Sequence, residues 1–120
     1  MRTSSCKAKG QRASKEARDL LLKFAPQLQP DDIIVTPSGV PGEDLRLSPA
    51  ARALYPFNFE MKNVEKINIW GAILQARAHG KHIPAVVFKK NNEELQITLK
   101  FQTFLEILHG SLKNNIQEKK

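Results

Sequence analysis

With 120 residues and 41% hydrophobic content the chain can build one modest core, so a single domain spanning residues 1–120 is expected. Nineteen Lys and Arg against 12 acidic residues give a formal charge of +7 and a pI near 9.8, which favours a polyanionic partner, either nucleic acid or an anionic membrane surface. The only cysteine, Cys6, excludes an internal disulfide, and no apolar run nears the ~20 residues of a membrane span or the core of a secretory leader, so a soluble cytoplasmic protein is expected.

Before the first acid, Glu16, the chain carries Arg2, Lys7, Lys9, Arg12 and Lys15 among Ser, Ala and Gly. Residues 1–13 therefore read as a basic arm, either solvated or contacting phosphates. From Ser14 as N-cap, "SKEARDLLLKF" sets Ala17, Leu20, Leu21 and Phe24 at helical spacing until Pro26 stops the run. Glu16, on the border of that stripe, either faces the interior edge of the fold or is a first-turn acid favoured by the helix dipole.

"DIIVT" (32–36) is a short β-branched strand between prolines. "PSGVPGEDL" is a Pro and Gly-rich turn that delivers Glu43 and Asp44 to the extended piece "LRL". "SPAARALYP" is a helical turn or surface insertion. "FNFEMK" (57–62) alternates Phe57, Phe59 and Met61 with Asn58, Glu60 and Lys62, the period of a strand with one apolar and one polar face.

Asn68 caps a helix over "IWGAILQARAH", with Ile69, Trp70, Ile73, Leu74 and Ala76 inward and Gly80 as its stop. Ile69 reads as core, Trp70 as core or as part of a dimer face, and Gln75 as a solvated residue or a site contact. "IPAVVF" is a nearly continuous apolar strand, covered on both faces and joined to "FNFEMK" by a right-handed parallel crossover. "ELQITLK" returns as a hairpin through "KKNNEE", where Lys89 and Lys90 either meet phosphates or sit in an exposed turn. "FQTFLEILHGSL" spaces Phe101, Phe104, Leu105 and Leu108 as an amphipathic helix, and residues 113–120 form a frayed tail. The order of elements gives a small α/β or α+β layer structure.

Glu60 and Lys62 project from the same strand face about 6.5–7 Å apart. On a free edge strand they would be a surface charge pair. Between strongly apolar elements, a carboxylate beside an ammonium is costly unless it has partners or work to do. Asp44 enters just before an extended piece able to lie beside this strand, and two converging carboxylates make a hard oxygen site for Mg²⁺ or Mn²⁺. Such a cation polarises a phosphodiester and lowers the pKa of a bound water, while Lys62 orients that water or neutralises the phosphate. Asp44, directly before Leu45, is preferred to Glu43, whose plain reading is a turn residue. His79 and His82 flank Gly80 at a helix end, where polar groups are simply favourable, and with one distant cysteine they form no zinc constellation. A Ser-His-Asp set, a Walker loop and a dinucleotide fingerprint are absent, so those reaction classes have no support.

"GEDL" followed by "FEMK", an amphipathic helix and an apolar strand resembles the PD-(D/E)xK nuclease superfamily, with Asp44 and Glu60-x-Lys62 in the motif positions. Within it the chain looks most like the archaeal-type Holliday-junction resolvases, on Lys7, Lys9 and Gly10 ahead of Glu16 and on the "PSG" turn at 37–39. The gap from Gly10 to Glu16, Glu43 in place of a proline before Asp44, and the insertion "RLSPAARALYP" depart from that pattern.

The resemblance implies a restriction-endonuclease-like fold, a central mixed sheet flanked by helices, in a homodimer that makes paired nicks in four-way DNA junctions. It implies Mg²⁺ ligation by Asp44 and Glu60, activation or phosphate contact by Lys62, a supporting metal or water contact by Glu16, and contact of Ser38 with the DNA backbone. Lys7, Lys9, Arg12, Lys89 and Lys90 are the remaining DNA-binding candidates. Two alternatives stand beside this one: a nuclease of the same fold acting on flaps, mismatches or linear duplex, and a non-catalytic basic DNA-binding module.

Overall fold

The structure is a computed structural model that describes residues 4–110, with side chains from residue 8 onward. Its elements run α1 (Ser4–Lys23), a 3₁₀ turn (Pro30–Asp32), β1 (Ile33–Val35), β2 (Leu45–Leu47), α2 (Pro49–Leu54), β3 (Phe57–Asn63), α3 (Ile69–Ala78), β4 (Ile83–Lys89), β5 (Gln96–Thr98) and α4 (Phe101–Leu108). The mixed α/β character expected from the sequence is present.

The strands form two sheets where one central sheet was expected. β1 and β2 make an antiparallel pair, Ile33 opposite Leu47 and Val35 opposite Leu45. β3, β4 and β5 make the second, with β3 parallel to β4 (Glu60 opposite Val86, Lys62 opposite Phe88) and β5 antiparallel to β4. β3 is an edge of this sheet, and its outer side faces the β1-β2 hairpin without a continuous ladder.

The two faces of β3 meet different helices. Phe59 and Met61, with Ala85 and Val87 of β4, pack on Ala13 and Ala17 of α1 together with Ile33, Leu45 and Ala51. On the other face Val86 and Phe88 pack on Ala72, Ala76, Ile67 and Ile73 around α3. Asn58 and Glu60 share that second face and are 1% and 7% exposed, so the polar side of "FNFEMK" is buried under a helix and not turned to water.

Several sequence expectations are corrected. α1 starts at Ser4, so residues 4–13 are helical where an arm was expected, and Ser14 is a buried mid-helix residue where a cap was expected. Ala, Lys, Arg and Gln dominate this stretch and all propagate a helix well. Its sheet-facing stripe is the small set Ala13, Ser14 and Ala17, with Leu21 half-buried, which lets backbone approach sheet closely; Leu20 and Phe24 are left exposed. α3 likewise turns Ala72 and Ala76 inward, with Ile69 and Ile73 half-buried, while Trp70 (72% exposed) and Leu74 point outward. α4 buries Thr103 and exposes Phe101, Phe104, Leu105 and Leu108, the reverse of the expected orientation. The tail at 113–120 lies outside the described residues.

α2 is a helix of its own: the Ser48 hydroxyl accepts Ala51 N–H at 3.1 Å and donates to Asp32 at 2.6 Å, capping the helix and tying it to the start of β1. Among the described residues no helix is long and apolar enough to cross a membrane.

Candidate active site

Asp44 is held by the mouth of the first hairpin. Thr36 N–H donates to the Asp44 carbonyl at 3.0 Å and the Thr36 hydroxyl to the Glu43 carbonyl at 2.6 Å, extending the β1-β2 ladder past Val35 and Leu45. The turn before it needs Gly42 at φ +114, a left-handed conformation that side chains resist. Glu43 is fully engaged: both its carboxylate oxygens lie 3.2 Å from one Arg52 guanidinium nitrogen, and another nitrogen of that guanidinium donates to the Phe57 carbonyl. Glu43 is therefore a clamp between loop, α2 and β3, which leaves Asp44 as the acid free to reach the strand.

Asp44 does reach it. Its Oδ2 accepts the main-chain N–H of Met61 at 2.7 Å, on the free edge of β3 and between the two motif residues. Glu60 and Lys62 point to the α3 side, with Lys62 Nζ 3.5 Å from Glu60 Oε2. On the opposite oxygen, His79 Nε2 stands 3.6 Å from Glu60 Oε1. The sequence reading missed this histidine. Its signal was positional: a helix returning antiparallel to β3 from Asn68 must bring its C-terminal residues back beside the middle of the strand.

The electrostatics are those of two carboxylates crowded into a partly dry site. Burial pushes the Asp44 carboxyl above its ordinary value, opposed by the Met61 N–H and by the charges of Lys62 and His79. Burial also raises Glu60, and the Asp44 charge raises it further, against Lys62 and His79. Glu60 Oε1 is buried and accepts no hydrogen bond.

That donor set fits a divalent cation. Asp44 and Glu60, the latter with a buried Oε1 that accepts no hydrogen bond, could each offer a hard oxygen ligand to such a cation. No cluster of three or more His, Cys, Asp or Glu that could hold a metal occurs among the described residues. Mg²⁺ typically takes only one or two carboxylates and completes its shell with water and phosphate oxygens.

Two depressions flank the cluster. Asp44 and Met61 open on one of about 380 Å³, walled by Gly10, Gln11 and Ser14 of α1 and by the 36–40 turn that carries Ser38. Lys62 opens on another of about 260 Å³, with Lys66, Asn68, Gly71 and Gln75.

The remaining candidates divide. Glu16 is not brought into the cluster: its half-exposed carboxylate pairs with Lys89 Nζ at 3.9 Å, and among the described residues it makes no hydrogen bond or ion pair with Asp44, Glu60 or Lys62. Lys89 sits opposite Asn63 at the carboxyl end of the parallel pair, and Asn63 in turn donates to the Lys9 carbonyl at 3.2 Å. Lys62 and Lys89 thus both lie towards the carboxyl end of the parallel pair, Lys62 on the α3 face beside Glu60 and Lys89 beside α1. Arg12 is exposed on α1, and Lys90 lies in an exposed turn closed by Glu93 N–H on its carbonyl. The Lys7 side chain lies outside the described ones.

No protein-family model matches the chain, and neither does any curated protein or solved structure.

Proposed function

We propose that the chain is a Mg²⁺-dependent endodeoxyribonuclease of the PD-(D/E)xK type with a restriction-endonuclease-like core, acting as a homodimer on four-way DNA junctions. The observation that carries this reading is the meeting of Asp44 with β3 between Glu60 and Lys62, residues that the sequence separates by an insertion and a helix.

A divalent cation between Asp44 and Glu60 would polarise the scissile phosphodiester and supply a water of lowered pKa. Asp44, fixed by the Met61 N–H, and Glu60, fixed by Lys62, hold ligand oxygens in place before substrate arrives. Lys62 is partly exposed towards its own depression, so its ammonium can meet a phosphate oxygen or the attacking water while still facing Glu60. Lys9, Arg12 and Lys89 are the cations offered to the phosphate backbone in this reading, and Ser38 stands on the wall of the depression that Asp44 opens on.

A homodimer is supported by large apolar side chains left in solvent on α3 and α4, Trp70, Leu74, Phe101 and Leu108 among them. Two-fold symmetry would present two equivalent sites to a roughly two-fold junction. The test is Mg²⁺ added to protein with a synthetic four-way junction and with its matching linear duplex. Paired nicks confined to the junction support the proposal. Equal cleavage of both substrates moves the reading to a less selective nuclease, and binding without cuts to a non-catalytic DNA-binding module.

A further inference from the structure

Glu60 is approached from both sides by donors, yet only Lys62 belongs to the motif. The other is His79, and the chain spends several features on placing it. His79 is the residue after α3, its own N–H donating to the Ala76 carbonyl at 3.4 Å. Gly80 follows at φ +145, a backbone state that side-chain-bearing residues rarely adopt, and it turns the chain sharply off the helix. The turn is then pinned from the strand: Asn58, 1% exposed and two residues before Glu60 on the same face, donates Nδ2 to the His82 carbonyl at 3.2 Å. Small residues at Ala72 and Ala76 bring α3 close enough for this to happen.

We propose that His79 is a positioning residue for the cation site, orienting the Glu60 carboxylate through Nε2–H to Oε1 while Lys62 holds Oε2. This rests on the proposed cation between Asp44 and Glu60. Glu60 Oε1 is buried and lacks a hydrogen bond, and the imidazole nitrogen faces it at 3.6 Å. Such contacts are commonly long in the unliganded state and tighten when the site is loaded. A carboxylate faced by donors at both oxygens is held back from rotating away from Asp44, and outer partners of this kind typically contribute about 10–100-fold in metal affinity.

The experiment is a Mn²⁺ titration of the full chain without DNA, followed by loss of the free-ion paramagnetic resonance signal, in wild type, Glu60→Gln, His79→Ala, His79→Gln and His79→Phe. Wild type is expected to show a site that Glu60→Gln lacks. His79→Ala and His79→Phe are expected to weaken that site about tenfold, and His79→Gln, which keeps an N–H donor, to recover most of the loss. His79→Phe fills the space of the ring without a donor, so it decides the matter if the alanine variant unfolds. A folded His79→Phe protein with wild-type Mn²⁺ affinity overturns the role of His79 and leaves the cation site standing. A wild type with no Mn²⁺ site sensitive to Glu60→Gln overturns the cation reading, and this inference with it.

Discussion

The Asp44 carboxylate, at the start of β2, accepts the main-chain N–H of Met61 on β3 at 2.7 Å. This one bond joins the two sheets at the edge where no ladder forms, and it places an acid from one hairpin between the two charged residues of another strand. It also separates structural from chemical uses of the same side chain, because the bond needs an acceptor while cation binding needs a charge.

Asp44→Asn keeps an acceptor for Met61 and removes the charge. Its stability at neutral pH is expected to rise above wild type, because a carboxylate raised by burial is removed, while Mg²⁺-dependent cleavage falls on the order of 10²-fold or more, several kcal/mol of transition-state stabilisation being at stake. Asp44→Ala also strands the Met61 N–H and should lose about 1–3 kcal/mol of stability in denaturant titration. Equal stability of the two variants would show that the bond has no structural weight.

Glu60→Gln should raise stability at neutral pH. Asp44 and Glu60 both titrate above their ordinary values, so the folded chain binds these protons more tightly than the unfolded chain. Stability from this source is full below the unfolded values, falls as pH rises through the folded values and is level above them. Glu60→Gln removes its share of that loss. Thermal melting across pH should give Glu60→Gln the higher Tm at pH 7, with the gap closing on acidification; a variant less stable than wild type at pH 7 contradicts this electrostatic account.

Mg²⁺ should act in the same direction by another route. At ten times its Kd a ligand that binds only the folded state adds about 1.4 kcal/mol. Wild type should therefore melt higher in Mg²⁺, and Glu60→Gln and Asp44→Asn should not respond.

Arg52→Ala breaks both the clamp on Glu43 and the bond to the Phe57 carbonyl. With both partners mostly buried, about 1–3 kcal/mol of stability should go. Cleavage should drop as well, because the loop that carries Asp44 loses its anchor. Lys at position 52 cannot span the two sets of acceptors and should restore little. Unchanged cleavage in a folded Arg52→Ala protein would show that the loop holds Asp44 by itself.

Lys62→Ala should abolish cleavage while leaving junction binding nearly intact, measured by gel shift without metal. Full activity in the purified variant contradicts the role given to Lys62.

Local chemistry made much of this legible in the sequence. Alternation identified β3, Asn68 and Pro26 bounded their helices, the Pro and Gly run before Asp44 marked a turn, and "KKNNEE" forecast the β4-β5 hairpin. The choice of Asp44 over Glu43 matches where the two carboxylates lie, and Arg52, whose partners are nine and five residues away in sequence, supplies the reason. What escaped were tertiary decisions. Helical spacing of large apolar residues pointed to Leu20, Phe24, Leu74 and the α4 set as inward-facing, whereas close packing on the sheet selected alanines and left these outside. His79 was read only as a favourable helix-end residue, because its place beside Glu60 depends on where α3 returns.

The most direct test of the central claim is anomalous scattering from crystals of the protein grown with Mn²⁺. The account predicts a peak within bonding distance of both the Asp44 and Glu60 carboxylates, with the Lys62 ammonium alongside. Asp44 and Glu60 turned to separate regions, with no peak between them, would contradict it.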